Sequence, residues 1–357
     1  MRKIVSILLL AVFIPLFVTT SCRKYDEAVE QQILVDYMRA NNIDFNTIST
    51  GLVTGAGLTT ATPTPGIVNA SDNYSIPGWT IFDVRDAATY NNGHIKGAIN
   101  VPIANILTAA PADKTTKILV VCFSGQTAAR ATAILRMAGY ANAKSLKWGM
   151  SAWNPAFANS WNSNATQYTT TNWVTTAAPT LSEYESPNFG TGYTTGPEIL
   201  NARLNAILTL PWSVSKVDVL ANPSNYYIIN KWPVAQYNAY GHINGAYNMN
   251  DITFDNLKYY NPEASTIVTY CYTGQTSAIT TTWLQVLGYE NARSLSFGGN
   301  GIIYNNMLAS PNVAGDPLNM QSVTWKGVGS SSSYNGVLGY GYYKTVGTTT
   351  DGLYVAP

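Results

Sequence analysis

The residues best suited to chemistry in this chain lie in a six-residue motif that occurs twice. Each copy starts with a cysteine, Cys122 or Cys271, and has a glycine three residues later, Gly125 or Gly274. Each cysteine follows an apolar run typical of a buried strand and precedes a segment with the apolar period of a helix. The N–H groups of such a turn and of the helix start favour negative charge, so a thiol placed there has a lowered pKa and is a nucleophile near neutral pH. The other loop residues, which form the predicted cradles, are Phe123, Ser124, Gln126 and Thr127 in the first copy and Tyr272, Thr273, Gln275 and Thr276 in the second.

The elements around each motif alternate between strands and helices. In the first copy the pattern predicts a strand over 80–84, a helix over 86–92, a strand over 117–121, a helix over 126–138 and a strand over 144–147. This alternation is typical of βαβ units, which form parallel sheets. The strand ends should therefore meet along one edge, with the cysteine loop among them. The sequence predicts an α/β fold with two domains, each a small parallel sheet flanked by helices.

The second domain is predicted from a repeat rather than from composition. Gly93-His94-Ile95 recurs as Gly241-His242-Ile243, Gly139-Tyr140 recurs as Gly288-Tyr289, and the blocks keep their order. Several blocks in common register indicate a duplicated unit. The predicted organisation is a signal peptide over 1–21, an N-terminal helix and loop over 22–78, a first domain over 79–155, a linker over 156–196, a second domain over 197–306, and a Gly-, Ser- and Tyr-rich tail over 307–357.

The first 21 residues are typical of an export signal. Arg2 and Lys3 precede an apolar stretch over 4–18, which is too short for a comfortable membrane span. A small residue, Ser21, stands directly before Cys22, as in the lipobox of bacterial lipoproteins, although Thr19 replaces the usual leucine. We therefore expect lipidation of Cys22 and a membrane-anchored lipoprotein of the bacterial cell envelope, on the periplasmic or outer-membrane face. Ordinary secretion is the alternative.

Composition excludes other classes of function. Charged residues make up 11% of the chain, against roughly 25% in typical soluble domains, and the 20 basic and 19 acidic residues give a net charge of +1. No basic stripe is present, so we expect no nucleic-acid partner. No His, Cys and Asp spacing is typical of a metal site. With Cys22 assigned to lipidation, the remaining alternative for Cys122 and Cys271 is a disulfide between them, but nothing in the sequence indicates that the two loops face each other.

These motifs, taken together, resemble the rhodanese superfamily. The matching blocks are Asp83-Val84-Arg85, the Gly93-His94-Ile95 turn, Cys122 with Gly125 and Thr127, and Gly139-Tyr140. They span about 79–155 and, in the second copy, about 213–305. The resemblance implies a tandem sulfurtransferase in which a loop cysteine takes a sulfane sulfur as a persulfide and passes it to a thiophilic acceptor. It implies no cofactor beyond this covalent intermediate, and as partners a small-molecule or protein sulfur donor and a thiol acceptor. Thr127 and Thr276 are expected to cap the following helices and to donate a hydroxyl toward sulfur.

The chain departs from the family pattern in ways that make the two copies unequal. Asp83 and Arg85, which we assign to the first site, correspond to Asn230 and Trp232 in the second. Both loops lack the basic residues of thiosulfate-using relatives, so a persulfide or polysulfide suits them better as donor. Arg130, one turn into the first helix, is the predicted cation near the first loop. A related phosphatase branch ends its longer loop in arginine to bind phosphate, and Ala128 and Ser277 at that position exclude this chemistry.

Other interpretations remain open from the sequence. His94 and His242 are the only histidines, and their turns are interpreted as structural rather than as general bases. A non-catalytic binding module on the cell envelope would also explain the low charge and the aromatic residues of the loops. A thiol redox or persulfide sensor is a third possibility, because an exposed cysteine of low pKa oxidises readily.

Overall fold

The computed structural model describes residues 27–61, 65–328 and 335–357. The predicted signal peptide and Cys22 lie outside these residues. Within the described parts of the chain, two five-stranded parallel sheets are each flanked by helices, which confirms the predicted α/β fold and its duplication.

The first sheet has the strand order β1-β5-β4-β2-β3. Its central strand β4 is buried at every position, as its sequence Ile-Leu-Val-Val predicts for a strand covered on both faces. The edge strand β1 lies within the segment predicted as N-terminal helix and loop, and it pairs with β5. The elements of this half are α1 (Glu27–Ala40), α2 (Phe45–Ser49), β1 (Val53–Thr54), β2 (Thr80–Asp83), α3 (Ala87–Asn92), β3 (Ile99–Asn100), β4 (Ile118–Val121), α4 (Gln126–Met137), β5 (Lys144–Leu146), α5 (Met150–Trp153) and α6 (Asn159–Asn162).

The second sheet repeats this topology with the order β10-β8-β11-β12-β7. Its central strand β11 is again fully buried. In the segment predicted as linker, β6 forms an antiparallel pair with β9, so this segment packs on the second half. The elements are β6 (Trp173–Val174), α7 (Gly196–Ala206), β7 (Ser213–Val214), α8 (Lys216–Ala221), β8 (Tyr227–Asn230), α9 (Val234–Tyr240), β9 (His242–Ile243), β10 (Tyr247–Asn248), β11 (Ile267–Tyr270), α10 (Gln275–Val286), β12 (Ala292–Leu295) and α11 (Tyr304–Ala309).

The C-terminal segment forms a hairpin on the first half. Strands β13 (Tyr342–Val346) and β14 (Thr349–Val355) are antiparallel, and β13 packs beside α3. The backbone groups of Tyr343 and His94 exchange two hydrogen bonds of 2.9 Å. Residues predicted as a low-complexity tail therefore extend the first half.

A shared core joins the two halves. Helices α4 and α10 pack against each other, and one hydrophobic cluster includes Val120 and Ile134 of the first half with Ile267 and Leu284 of the second. Helix α2 contacts both α4 and α10. Because α4 and α10 both start at a cysteine loop, their packing places the two loops near each other. Among the described residues no helix is long and apolar enough to cross a bilayer.

Candidate active site

The first cysteine loop forms a cradle for sulfur. Cys122 follows β4 directly, and Gly125 adopts φ +85°, a left-handed conformation that curls the chain into α4. The Sγ atom of Cys122 accepts hydrogen bonds from the N–H groups of Gly125 (3.1 Å) and Ala128 (3.3 Å). The cysteine is only 3% exposed. Burial raises the pKa of the Cys122 thiol, and this outweighs the nearby N–H groups that lower it. The sequence predicted the opposite net direction, because the depth of burial was unknown.

The second loop has the same backbone but a different sulfur contact. Gly274 adopts φ +78°, and the N–H of Ser277 donates to Cys271 Sγ at 3.4 Å. The thiol also lies 3.6 Å from Ser277 Oγ, to which it donates, and Ser277 Oγ shares a 2.7 Å hydrogen bond with Ser294 Oγ. A hydroxyl thus stands where the first loop has the methyl group of Ala128. Cys271 is 2% exposed.

A second turn holds each cysteine loop from behind. The N–H of Met150 donates to Cys122 O at 2.8 Å, and that of Gly299 donates to Cys271 O at 2.9 Å. A Cβ on Gly149 would lie 2.3 Å from Cys122 O, and one on Gly298 would lie 2.2 Å from Cys271 O. Only a residue without a side chain permits this close approach.

A buried ion pair fixes the end of β2 beside the first loop. Asp83 and Arg85 are 1% and 3% exposed, and Arg85 Nη2 lies 2.6 Å from Asp83 Oδ2. Arg85 also donates to Gly93 O at 2.6 Å, and its guanidinium lies 5.5 Å from the centre of the Phe123 ring. The pair therefore links the end of β2 to the Gly-His-Ile turn, and its guanidinium group packs near the Phe123 ring.

In the second half an uncharged pair of residues takes the place of the Asp83–Arg85 ion pair. The side chain of Asn230 accepts from the backbone N–H of Trp232 at 2.8 Å, as Asp83 accepts from that of Arg85. The Trp232 indole stacks on Tyr272 with centroids 5.5 Å apart and 6° between the planes. An aromatic stack thus replaces the contact between a guanidinium and an aromatic ring.

The two loops meet across the interface between the halves. Gln126 Oε1 accepts from the Phe297 N–H at 2.8 Å, and a Cβ on Gly274 would lie 2.2 Å from that same Oε1. In the reverse direction, a Cβ on Gly125 would lie 3.1 Å from the Gln275 side chain. Nothing in the sequence indicated that the loops face each other, but the glutamines link them. Both cysteines are nevertheless free thiols.

Aromatic side chains cover the region where the loops meet. Trp161 contacts Trp148 edge-on at 4.7 Å and Phe297 at 4.9 Å, and it stacks with Trp325 at 5.9 Å. Its Nε1 donates to Ser124 O at 3.0 Å. These four rings therefore form one aromatic cluster that is hydrogen-bonded to the first loop.

Comparison with known proteins assigns the fold to a family. The model of the family described as Rhodanese-like domain matches residues 69–156 and 218–302. The thiosulfate sulfurtransferase GlpE of Shewanella oneidensis is 38% identical over 77 residues, which cover 21% of this chain and 76% of that protein. The chain belongs to the rhodanese superfamily. The GlpE protein of Pseudomonas fluorescens is 37% identical over 83 residues, or 22% of this chain and 74% of that protein.

Solved structures of rhodanese proteins also match parts of this chain. The rhodanese-like domain of the Alr3790 protein from Anabaena sp. is 39% identical over 22% of this chain and 74% of that chain, with a TM-score of 0.21. A longer chain of the same protein is covered to 63% of its length. The thiosulfate sulfurtransferase of Pseudomonas aeruginosa is 15% identical over 75% of this chain and 45% of that chain, with a TM-score of 0.26. The family model and the two GlpE relatives support a sulfurtransferase kind of enzyme.

Arg130 does not lie at the first rhodanese loop, which corrects the sequence prediction. Its side chain is fully buried, and Nη1 donates to Gln285 Oε1 at 2.7 Å while Nη2 donates to Ile207 O. The position on α4 faces α10 rather than the loop. Arg130 therefore joins the two halves and leaves the first loop without the expected cation.

The predicted threonine contacts are also wrong. Neither Thr127 nor Thr276 donates its hydroxyl to sulfur, and the N-cap residues of α4 and α10 are the two glycines, which have no side chain to cap with. Thr276 is exposed, and the hydroxyl that reaches Cys271 belongs to Ser277.

The remaining loop side chains have separate roles. Phe123 is 38% exposed and borders a groove of about 620 Å³, Gln126 also donates to Ser124 Oγ at 2.9 Å, and Thr273 Oγ1 accepts from the Gln275 N–H. The hydroxyl of Tyr272 donates to Gln236 Oε1.

The histidines of the rhodanese turns are buried away from the thiols. His94 Nδ1 lies 2.9 Å from Tyr90 O, and Nε2 lies 3.1 Å from Asp351 Oδ1 in the C-terminal hairpin. His242 stacks on Tyr237 at 3.7 Å, and burial lowers its pKa. These contacts support a structural role. No group of three or more His, Cys, Asp or Glu side chains in the described residues is arranged to hold a metal ion.

Three residues at the site escaped sequence reasoning. Trp161 belongs to the predicted linker, and Ser277 was weighed only as a position without arginine. Lys231 directly follows β8 and is 6% exposed. It was missed even though the residues on either side of it, at 230 and 232, were compared with the first half. The signal was available, because the same alignment places Lys231 opposite Val84.

Proposed function

We propose that this tandem rhodanese carries sulfane sulfur as a persulfide on Cys122, Cys271 or both, and passes it to a thiophilic acceptor. The observation that supports this most directly is the repeated cradle, in which backbone N–H groups point at a cysteine sulfur at a strand end. Such donors stabilise a thiolate and then the terminal sulfur of a persulfide without any cofactor.

The proposed step balances as a displacement at sulfur. The cysteine thiolate attacks the outer sulfur of the donor and a new S–S bond forms. The bond that joined this outer sulfur to the rest of the donor breaks, and its electron pair leaves with the donor fragment. The acceptor thiolate then attacks the terminal sulfur, and the cysteine departs as a thiolate. No external oxidant or reductant is needed.

The surroundings of the loops favour a donor of low charge. Neither loop contains Lys or Arg, Phe123 lies at the surface, and Arg85 is already paired with Asp83. Thiosulfate, which the names of the relatives specify, carries two negative charges that the first loop has no free cation to match. We therefore propose a persulfide or polysulfide as the preferred donor, and a small-molecule or protein thiol as the acceptor.

We further propose that the protein acts at the cell envelope as an exported lipoprotein anchored through Cys22. The support is the amino-terminal sequence, which lies outside the described residues. Labelling of cells with a clickable fatty acid, compared between the parent chain and Cys22→Ser, tests this anchor, and equal labelling of both chains would exclude it.

Intact-mass spectrometry after incubation with thiosulfate, polysulfide or a low-molecular-weight persulfide tests the activity. We expect a gain of one sulfur, ~32 Da, that disappears in the double variant Cys122→Ser with Cys271→Ser and returns to the parent mass on addition of a thiol. The double variant keeps the rest of the chain unchanged and so controls for sulfur added elsewhere. The proposal fails if no donor gives a mass gain that depends on Cys122 or Cys271.

A further inference from the structure

The two cysteines have different neighbours on the adjacent strand. In the first half β2 pairs with β4, and Val84 follows the last paired residue just as Cys122 does. In the second half Asn230 pairs with Tyr270, so Lys231 and Cys271 are the next residues on neighbouring parallel strands. The N–H of Lys231 donates to Tyr270 O at 2.9 Å, which keeps this register to the end of the sheet.

Residues in register on parallel strands point to the same face of a sheet. The contacts of both side chains agree with this. Cys271 reaches Ser277 in the first turn of α10, while Lys231 Nζ lies 4.6 Å from the centre of the Phe45 ring, which in turn packs edge-on against Trp283 of α10. Lysine and cysteine therefore share the face that α10 and α2 cover.

Lys231 lacks the partner that a buried ammonium group normally has. Its Nζ donates to Asn250 O at 3.0 Å, and no carboxylate of the described residues lies within ion-pair distance of it. Burial lowers the pKa of Lys231 to about 7, while the charges of Cys271 and of the exposed Asp251 act in the opposite direction. A buried cation in this state is stabilised by a nearby anion, and a thiolate supplies one.

We infer that Lys231 is the cation of the second site: it accepts the proton of Cys271 and then pairs with the thiolate and with the persulfide that forms from it. This inference rests on the proposed function and adds a residue to it. In the proton transfer the S–H bond of Cys271 breaks, the neutral amine of Lys231 becomes an ammonium group, and the charge of the pair stays zero. The persulfide that follows carries one negative charge, so the ion pair persists through the sulfur transfer.

The inference makes the halves chemically different. Cys122 has Val84 beside it and only N–H groups as donors, whereas Cys271 has an ammonium group on the next strand. Tyr272 is the other titratable side chain on which the charge of Cys271 acts, and burial raises the pKa of Tyr272, which keeps its phenol neutral. We therefore expect the reactivity of Cys271, unlike that of Cys122, to depend on a neighbouring lysine.

The test is alkylation by iodoacetamide as a function of pH, read separately on the two cysteine-containing peptides of the full chain by mass spectrometry. In Lys231→Met the midpoint of the alkylation profile of Cys271 should rise by about one pH unit or more, the usual effect of losing a neighbouring opposite charge, which is about tenfold in rate near pH 7. The profile of Cys122 in the same molecules should not move.

Two further variants separate charge from folding. Lys231→Arg should keep the parent midpoint of Cys271. Lys216→Met, which removes another partly buried lysine whose Nζ donates to Thr166 Oγ1 and Gly301 O, should also leave it unchanged. Val84→Lys should lower the midpoint of Cys122 by placing the cation in the first half. This variant remains informative even where Lys231→Met fails to fold.

The inference is overturned if Lys231→Met leaves the Cys271 midpoint in place, or shifts both cysteines equally, or if Val84→Lys has no effect on Cys122. Its failure differs from failure of the proposed function. A shifted midpoint without any persulfide would leave Lys231 as the partner of an ordinary thiolate, and a persulfide on Cys271 that is insensitive to Lys231→Met would leave the sulfurtransferase without this cation.

Discussion

Replacing Asp83 by Asn tests how the first half supports its cysteine loop. The amide oxygen of the new residue can still accept from the Arg85 backbone N–H, as Asn230 accepts from Trp232, so the local backbone is kept. The change removes the negative charge opposite a guanidinium group that is fully buried. The bond from Arg85 to Gly93 O and the contact with the Phe123 ring then remain, but neither supplies a negative charge.

The expected loss is large because one partner of a buried ion pair is left unpaired. Such changes destabilise by ~3–5 kcal/mol. Adding Arg85→Trp to Asp83→Asn copies the arrangement of the second half, where Trp232 stacks on the ring that corresponds to Phe123. The double variant should therefore recover most of the loss, to within about 1.5 kcal/mol of the parent, with the remainder due to imperfect packing.

Urea unfolding followed by circular dichroism and tryptophan fluorescence measures the free energy of unfolding of each variant. Asp86→Asn is the matched control, because it removes the same charge only three residues along the chain from Asp83. Asp86 is the exposed N-cap of α3, a position where asparagine serves equally well. The reasoning is refuted if Asp83→Asn costs less than about 1 kcal/mol, or if the double variant is no more stable than the single one.

Three further predictions concern the interface, the loop and the first thiol. Arg130→Met should lower the free energy of unfolding by about 1–3 kcal/mol and leave the KM for every sulfur donor unchanged, because the side chain joins the halves and not the loop; a raised KM would return Arg130 to the site. Gly149→Ala should abolish persulfide formation on the first loop, because the new Cβ would lie 2.3 Å from Cys122 O. Gly97→Ala is the control: its φ of +71° is similar but nothing lies within 4 Å of the new Cβ, so it should lower the free energy of unfolding by only about 1 kcal/mol. Equal effects of the two variants in persulfide and unfolding assays would contradict the steric argument. Because burial raises the pKa of Cys122 above its ordinary 9.0, the rate of alkylation of Cys122 should still increase above pH 9. The stability that the neutral thiol contributes should be complete below pH 9 and be lost as the pH rises further. An alkylation rate that reaches a plateau below pH 9 would contradict this.

Local pattern was enough to predict the sheets and the position of the loops. The buried run before the first cysteine and the apolar period after it predicted β4 and α4 to within a residue, and the repeat predicted a strand and a helix at β11 and α10, because short buried strands and amphipathic helices dominate such segments. Strand β1 has two residues and no period, so its pairing depends on β5 rather than on its own sequence. The C-terminal hairpin was hidden by its Gly- and Tyr-rich composition.

Contacts between the halves could not be predicted from the sequence. The direction of Arg130 depends on which face of α4 meets α10, and the link from Gln126 to Phe297 depends on the relative placement of two sheets. The burial of Cys122 has the same origin, which is why the predicted direction of its pKa shift was wrong. Lys231 differs, since strand register alone places it beside Cys271.

The crossed glutamines couple the two cysteine loops physically. Gln126 belongs to the first loop but accepts from the N–H of Phe297, which lies in the turn behind the second loop. A movement of the first loop that displaces the Gln126 side chain breaks this bond and removes a contact from the turn that holds Cys271. We expect the rates of sulfur loading at Cys122 and Cys271 to depend on each other within a single chain, as alternating rather than independent sites.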